Sequence, residues 1–294
     1  MKMFTLAPSR QLLRLSDLTL LLVALVWGTS YGVAKGALAF YPVLGCLAVR
    51  FCLTFVLLLP SLLRLSRPQQ RDALRCGLPL GAWMLAIFLC ETFGVAHTLA
   101  SNAAFLISLC VVLTPWAEWW LLGQRPATEV FGFAALSLLG AALLSGGQVD
   151  AFRWGDVLML AAAVLRAITV CKTSQLSRHS RAPALAVTAV QAGVIGLGSL
   201  LLAIPGGLPA LPTHTAFWQS TAWLVLGCTV FAFFAQNWAL QHSSPTRVAL
   251  LTSSEPAFGA LFAVIFLQEH LSPVAWLGGA LIVLAALWTT LRTD

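Results

Sequence analysis

Residues 121–144 read LLGQRPATEVFGFAALSLLGAALL, and residues 266–288 read FLQEHLSPVAWLGGALIVLAALW. Each leaves one apolar run, crosses a short polar turn and enters a second apolar run rich in Gly and Ala. They are two copies of one pattern, and the copying extends further. Thr114-Pro115 lies upstream of the first stretch as Glu255-Pro256 lies upstream of the second. Asp17 precedes Trp27-Gly28 by ten residues, and Asp156 precedes Arg166-Ala167 by ten. A repeat on this scale is an architecture. The chain divides into a first half, residues 1–147, and a second half, residues 148–294.

The solvent of most of this chain is hydrocarbon. Of 294 residues, 59% are hydrophobic and 9% charged, against roughly a quarter charged in a soluble domain. Ten apolar segments stand out: 18–35, 43–63, 76–96, 99–123, 130–147, 155–173, 184–204, 217–240, 247–267 and 273–291. Most approach the ~20 residues that carry a helix across a bilayer. Five per half is odd, so the second half enters the membrane inverted relative to the first. The predicted fold is all-α and polytopic: ten transmembrane helices as two inverted five-helix repeats around a central cavity, where transporters of this design bind substrate.

Net charge is +7, yet no basic face interleaved with aromatics suggests a nucleic acid. With the N-terminus inside, cytoplasmic segments hold thirteen Lys and Arg, from Lys2 to Arg292, and outer loops hold Lys35 and Arg153. That asymmetry places both termini in the cytoplasm. The first apolar run is longer than a signal-peptide core of about 7–15 residues and reads as a retained span. The seven cysteines are scattered without a C-x-x-C pair, as small buried hydrophobes are. No motif for a metal or cofactor is present, and none is expected.

In this order and spacing, several short motifs resemble the drug/metabolite transporter superfamily, in particular its ten-helix EamA-type exporters. They are Trp27-Gly28 with Lys35, Arg50-Phe51, Gly227-Cys228-Thr229 with Ala239-Leu240, Glu255-Pro256, and Gln268-Glu269-His270-Leu271-Ser272 leading to Gly278. The resemblance covers essentially the whole chain. It implies a helical basket, alternately open to either side, that moves small metabolites outward across a bacterial inner membrane. Similar members include the YddG-type aromatic amino-acid exporters. Two positions depart from the pattern: Gln124 stands where Glu is usual, and Arg166 where an aromatic is usual.

Charges inside the bilayer cost at least ~2.5–3.5 kcal/mol each on insertion scales and face a cavity or a partner. At ~1.5 Å per residue, Arg50 and Glu91 lie at similar depth below the outer edge. An Arg50–Glu91 pair is expected, either tying two helices or forming an outer gate with His97 nearby. Arg166 and Glu255 fall near mid-membrane, and Pro256 breaks the helix there, freeing the Thr252 carbonyl. Such breaks are tolerated where they line a watery cavity or the protein interior. Glu255 is expected to face the cavity beside Ser254, balanced by Arg166 or by a substrate ammonium group; a packing kink with an inert ion pair is the alternative. Trp27, Asn102, Ser108, Asn237 and Trp238 are candidate cavity residues, although interhelical hydrogen bonding explains the polar ones equally well. Glu118, among Trp116, Trp119 and Trp120, reads as part of an interfacial belt.

The expected function is export of small metabolites, most simply amino acids, by alternating access, with drug efflux as the alternative. A zwitterion with an apolar side chain suits an apolar cavity holding a few opposite charges. Proton coupling is open, as is the choice between monomer and homodimer. From a different class, Gly28-Thr29-Ser30-Tyr31-Gly32 fits the G-x-S-x-G of serine hydrolases, but that motif requires a strand–turn–helix elbow and here lies in a transmembrane run. Gly28, Gly32 and Gly36 instead suggest a small-residue packing face. No enzyme is expected.

Overall fold

The computed structural model describes residues 10–98, 100–144, 153–177, 180–207, 209–267 and 270–291, with side-chain surroundings undescribed at positions 10–12, 31, 100–102, 104, 263, 266, 267 and 290. The described residues are helical almost throughout. In chain order the helices are α1 (Arg10–Leu38), α2 (Val43–Leu63), α3 (Arg67–His97), α4 (Ala100–Ser108), α5 (Cys110–Leu122), α6 (Thr128–Leu144), α7 (Trp154–Ser177), α8 (Ala184–Ala203), α9 (Thr215–Val225), α10 (Ala232–His242), α11 (Pro245–Thr252), α12 (Glu255–Leu267) and α13 (Pro273–Leu291). A π-helical turn, Leu226–Phe231, joins α9 to α10 without interruption. Among the described residues seven stretches are long and apolar enough to cross a membrane; α6 and α13 are shorter apolar helices. The pair α11–α12, broken at Ser253-Ser254, completes ten spans.

Packing reproduces the two-fold repeat. The heaviest contacts join α2 to α8, α3 to α7 and α6 to α13, and α1 packs on α9 and α10 as α3 packs on α7. Likewise α5 meets α7 and α12 meets α1. Exchanging the halves maps this pattern onto itself. Small residues allow the closest crossing: a Cβ added to Gly140 of α6 would stand 2.6 Å from the Gly278 carbonyl oxygen of α13, and one added to Gly278 would stand 2.5 Å from that of Gly140. In lipid no hydrophobic force separates helix faces from solvent, so this backbone approach and its dispersion contacts hold the pair together.

Each helix divides into an inward and a lipid-facing side. On α1, Leu20, Val23, Ala24 and Trp27 are buried, whereas Leu15, Leu18, Leu22 and Leu25 are exposed. An exposed leucine stripe of this kind would be a liability in water and is the ordinary surface of a membrane helix. The central core gathers Val23, Trp27, Leu47, Phe51, Ile195 and Phe233 from both halves.

The two broken spans differ. Pro256 stands second in α12, where its missing N–H costs nothing, and the chain turns through Ser253-Ser254 just before it. In the first half the break falls at Leu109, six residues before Pro115, which lies inside α5. There the Thr114 hydroxyl donates to the Cys110 carbonyl at 2.7 Å, and α5 continues through the proline to Leu122.

Candidate functional site

The cavity is built from helical stripes. Ala34 and Leu38 extend the line of Trp27 and Ser30 along the second half of α1. Met84, Ile87, Phe88, Glu91, Thr92 and Val95 recur at three- and four-residue spacing on α3, the period of one helix face. Arg50 from α2, Arg166, Thr169 and Val170 from α7, Phe233 and Gln236 from α10, and Glu255 at the start of α12 complete the wall. The cavity encloses about 100 Å³, room for several waters at roughly 10–15 Å³ each. Both halves contribute, and so do both signs of charge.

Arg166 and Glu255 come together: Arg166 Nη2 lies 3.7 Å from Glu255 Oε2. The guanidinium carbon sits 5.4 Å from the centre of the Trp27 ring, and the Trp27 indole N–H donates to the Cys228 carbonyl at 3.0 Å. Trp27 meets Phe233 edge-to-face with centroids 6.4 Å apart. The break before Pro256 thus delivers a carboxylate to a cation already held over an indole face, an arrangement favourable to both charges in a medium of low dielectric.

Arg50 and Glu91 face the same cavity, but the expected ion pair between them is not closed. Arg50 Nε donates to Thr229 Oγ1 at 2.8 Å, and its guanidinium carbon lies 4.9 Å from the Phe51 ring and 5.3 Å from that of Phe88. Sequence reasoning placed Thr229 in a motif of the family resemblance but not among the candidate cavity residues. Its hydroxyl donates at 2.7 Å to the carbonyl of Leu224, five residues back, a reach set by the π-helical turn.

Other anticipated residues are engaged elsewhere. Asn237 is buried and donates to Thr188 Oγ1 at 2.9 Å and Gln191 Oε1 at 2.8 Å, tying α10 to α8. The Ser108 hydroxyl donates to the Phe105 carbonyl and the Ser254 hydroxyl to the Leu251 carbonyl. Trp238 packs beside His242 in a separate cluster with Leu20, Leu240 and Leu251. His97 is exposed at the end of α3, with Nδ1 2.8 Å from the Phe93 carbonyl oxygen. Asn102 lies on α4, and its side chain is outside the described residues. Ser30 lies on the cavity wall, in mid-helix.

At the end of the bundle carrying the start of α1, polar contacts join α1, α5, α6 and α11. Arg247 at the start of α11 binds Asp17 of α1 through two bonds, Nε to Oδ1 at 2.9 Å and Nη2 to Oδ2 at 2.6 Å. Glu118 is buried rather than interfacial: its Oε2 accepts the backbone N–H of Thr246 at 2.9 Å, satisfying an orphan donor in the first turn of α11, where a carboxylate also suits the helix dipole. Ser137 of α6 and Ser253 share a hydrogen bond of 3.0 Å. Only Gly28 of the three α1 glycines needs its missing side chain: a Cβ there would lie 2.7 Å from the Gly259 nitrogen, whereas at Gly32 it would meet nothing within 4 Å.

The repeated helical pattern of the chain is matched by known proteins. The sequence pattern of the EamA-like transporter family fits residues 14–146 and again residues 153–291, once in each half. The chain belongs to the EamA-like transporter family. Among its relatives, an uncharacterized transporter of Archaeoglobus fulgidus is 30% identical over 94% of this chain and 86% of its own. A probable terminal-alkyne amino-acid exporter of Streptantibioticus cattleyicolor is 26% identical, covering 93% of each chain. The uncharacterized inner membrane transporter YedA of Escherichia coli K12 is 27% identical over 96% of this chain and 92% of its own. A solved crystal structure superposes on 96% of the chain and 98% of its own with a TM-score of 0.77 at 19% identity, which fixes the fold. This EamA-like protein is therefore a multi-pass membrane transporter and not an enzyme.

Proposed function

We propose that the protein is a secondary transporter that exports amino acids by alternating access. The observation that carries the reading is the composition of the cavity wall: Arg50, Glu91, Arg166 and Glu255 set among Trp27, Met84, Phe88 and Phe233. A zwitterion presents one group of each sign, and such a wall offers both signs while its apolar surface accepts a side chain. The name of the Streptantibioticus relative, an amino-acid exporter, supports the same class.

Two features favour alternating access. The cavity reaches Leu38 and Val95 near one end of the bundle, and the Asp17–Arg247 and Glu118–Thr246 contacts close the other. The thirteen-to-two bias of basic residues supports a cytoplasmic position for the closed end, and with it a carrier facing outward. We assign the two repeats to residues 1–147 and 148–294.

Counterflow in proteoliposomes tests the reading. Purified protein is reconstituted with unlabelled amino acid inside, and uptake of labelled amino acids and of a lipophilic cation is followed with and without a pH gradient. Uptake of at least one amino acid, above that of empty vesicles, is expected. Movement of the lipophilic cation alone would replace amino-acid export with drug efflux.

A further inference from the structure

Among the charged side chains of the cavity, Arg50 is held in a distinct way. Its hydrogen bonding among the described residues is a single bond, Nε to Thr229 Oγ1 at 2.8 Å; the remaining contacts are the faces of Phe51 and Phe88. Among the described residues neither Nη nitrogen of this cavity-lining guanidinium has a protein hydrogen-bond acceptor. An ionised group inside a membrane protein is costly unless it pairs or serves the substrate. The vacant edge, Nη1 beside Nη2, is the planar fork that takes a carboxylate through two parallel hydrogen bonds.

The fork is fixed from behind. In a regular α-helix a threonine hydroxyl returns to the carbonyl three or four residues back. In the π-helical turn Leu226–Phe231 the Thr229 hydroxyl reaches Leu224, five back, and its oxygen remains available to Arg50. The same turn presents the Cys228 carbonyl to the Trp27 indole. One extra residue in one helical turn therefore orients two cavity side chains, a use to which such bulges are often put.

We propose that Arg50 is the carboxylate-binding residue of the transport site and that Thr229 positions it. The ligand class is a monocarboxylate whose apolar body lies along Phe88 and Phe233. This rests on the amino-acid reading and deepens it by naming the group that receives the carboxylate.

The test measures affinity of the full-length protein in detergent, by the rise in unfolding temperature, for phenylacetate and for phenylacetamide. The second keeps the shape of the first and lacks its charge. Wild type is expected to bind phenylacetate at least tenfold more tightly than the amide. Thr229→Val should reduce that ratio about tenfold, Thr229→Ser should restore it, and Arg50→Gln should abolish it. A purely structural role for Thr229 would lower the unfolding temperature of the unliganded protein and leave the ratio unchanged. If Arg50→Gln does not fold, the Val and Ser variants decide. Equal affinity for both probes in wild type, or a ratio that survives Thr229→Val, overturns the assignment. Amino-acid counterflow is scored separately: its failure beside a clear carboxylate preference sinks the amino-acid reading and spares the fork, and the opposite combination sinks the fork alone.

Discussion

Replacing Asp17 with Asn should shift the carrier away from the conformation described here. Arg247 and Asp17 share two hydrogen bonds, and their side chains are 12% and 5% exposed. Removing one partner of a buried pair costs about 3–5 kcal/mol, chiefly because the other charge stays desolvated. The residual exposure of Arg247 argues for the lower figure, about 3 kcal/mol, or roughly 100-fold in an equilibrium constant. That cost falls only on the conformation in which this end is sealed; opening it lets Arg247 hydrate. The assay is labelling by a membrane-impermeant maleimide in a background without native cysteines. Ser16→Cys, buried beside the pair, should react faster when Asp17→Asn is added, and Ala34→Cys on the cavity wall should react more slowly. Restoring a pair by Asp17→Arg with Arg247→Asp should reverse both. Unchanged labelling at the two sites, with the fold intact, would refute the idea that this contact closes one end.

Three further outcomes follow from the contacts. Glu255→Gln should leave the fold intact and reduce export at least tenfold, measured by counterflow against unfolding temperature, because it removes the anion facing Arg166. Gly28→Ala should destabilise the protein by about 1–3 kcal/mol, since its Cβ would meet the Gly259 backbone, whereas Gly32→Ala should be tolerated; unfolding in detergent separates the two. Asn237→Leu removes an interhelical hydrogen-bond pair and should cost about 0.6–1.7 kcal/mol without altering substrate preference, read by competition in counterflow.

The all-helical, many-spanning architecture was legible because lipid enforces it: span length and hydropathy are written in one dimension. The meeting of Arg166 with Glu255 was legible too, since depth follows from counting residues along two helices. Depth says nothing of azimuth, however. Arg50 and Glu91 share a depth and a cavity, yet the partner of Arg50 is Thr229, on a helix whose π turn leaves no mark in composition. Asp17 and Arg247 read as a repeat marker and a topology signal; only the fold places them together. Glu118 was misassigned because its tryptophan neighbours are exposed on one helix face while it points to the other. The α3 stripe was within reach: stepping by three and four residues from Glu91 reaches Phe88, Met84 and Val95.

The central claim is a wet passage between the two halves in which substrate lies against Trp27, Arg166 and Glu255. Labelling of Ser30→Cys, on that wall in the middle of α1, tests it most directly. A water-soluble, impermeant methanethiosulfonate reagent should modify this cysteine, and a transported amino acid should slow the reaction in proportion to its occupancy. A cysteine at position 30 that no aqueous reagent reaches from either face of the membrane, or that substrate never protects, would contradict the account.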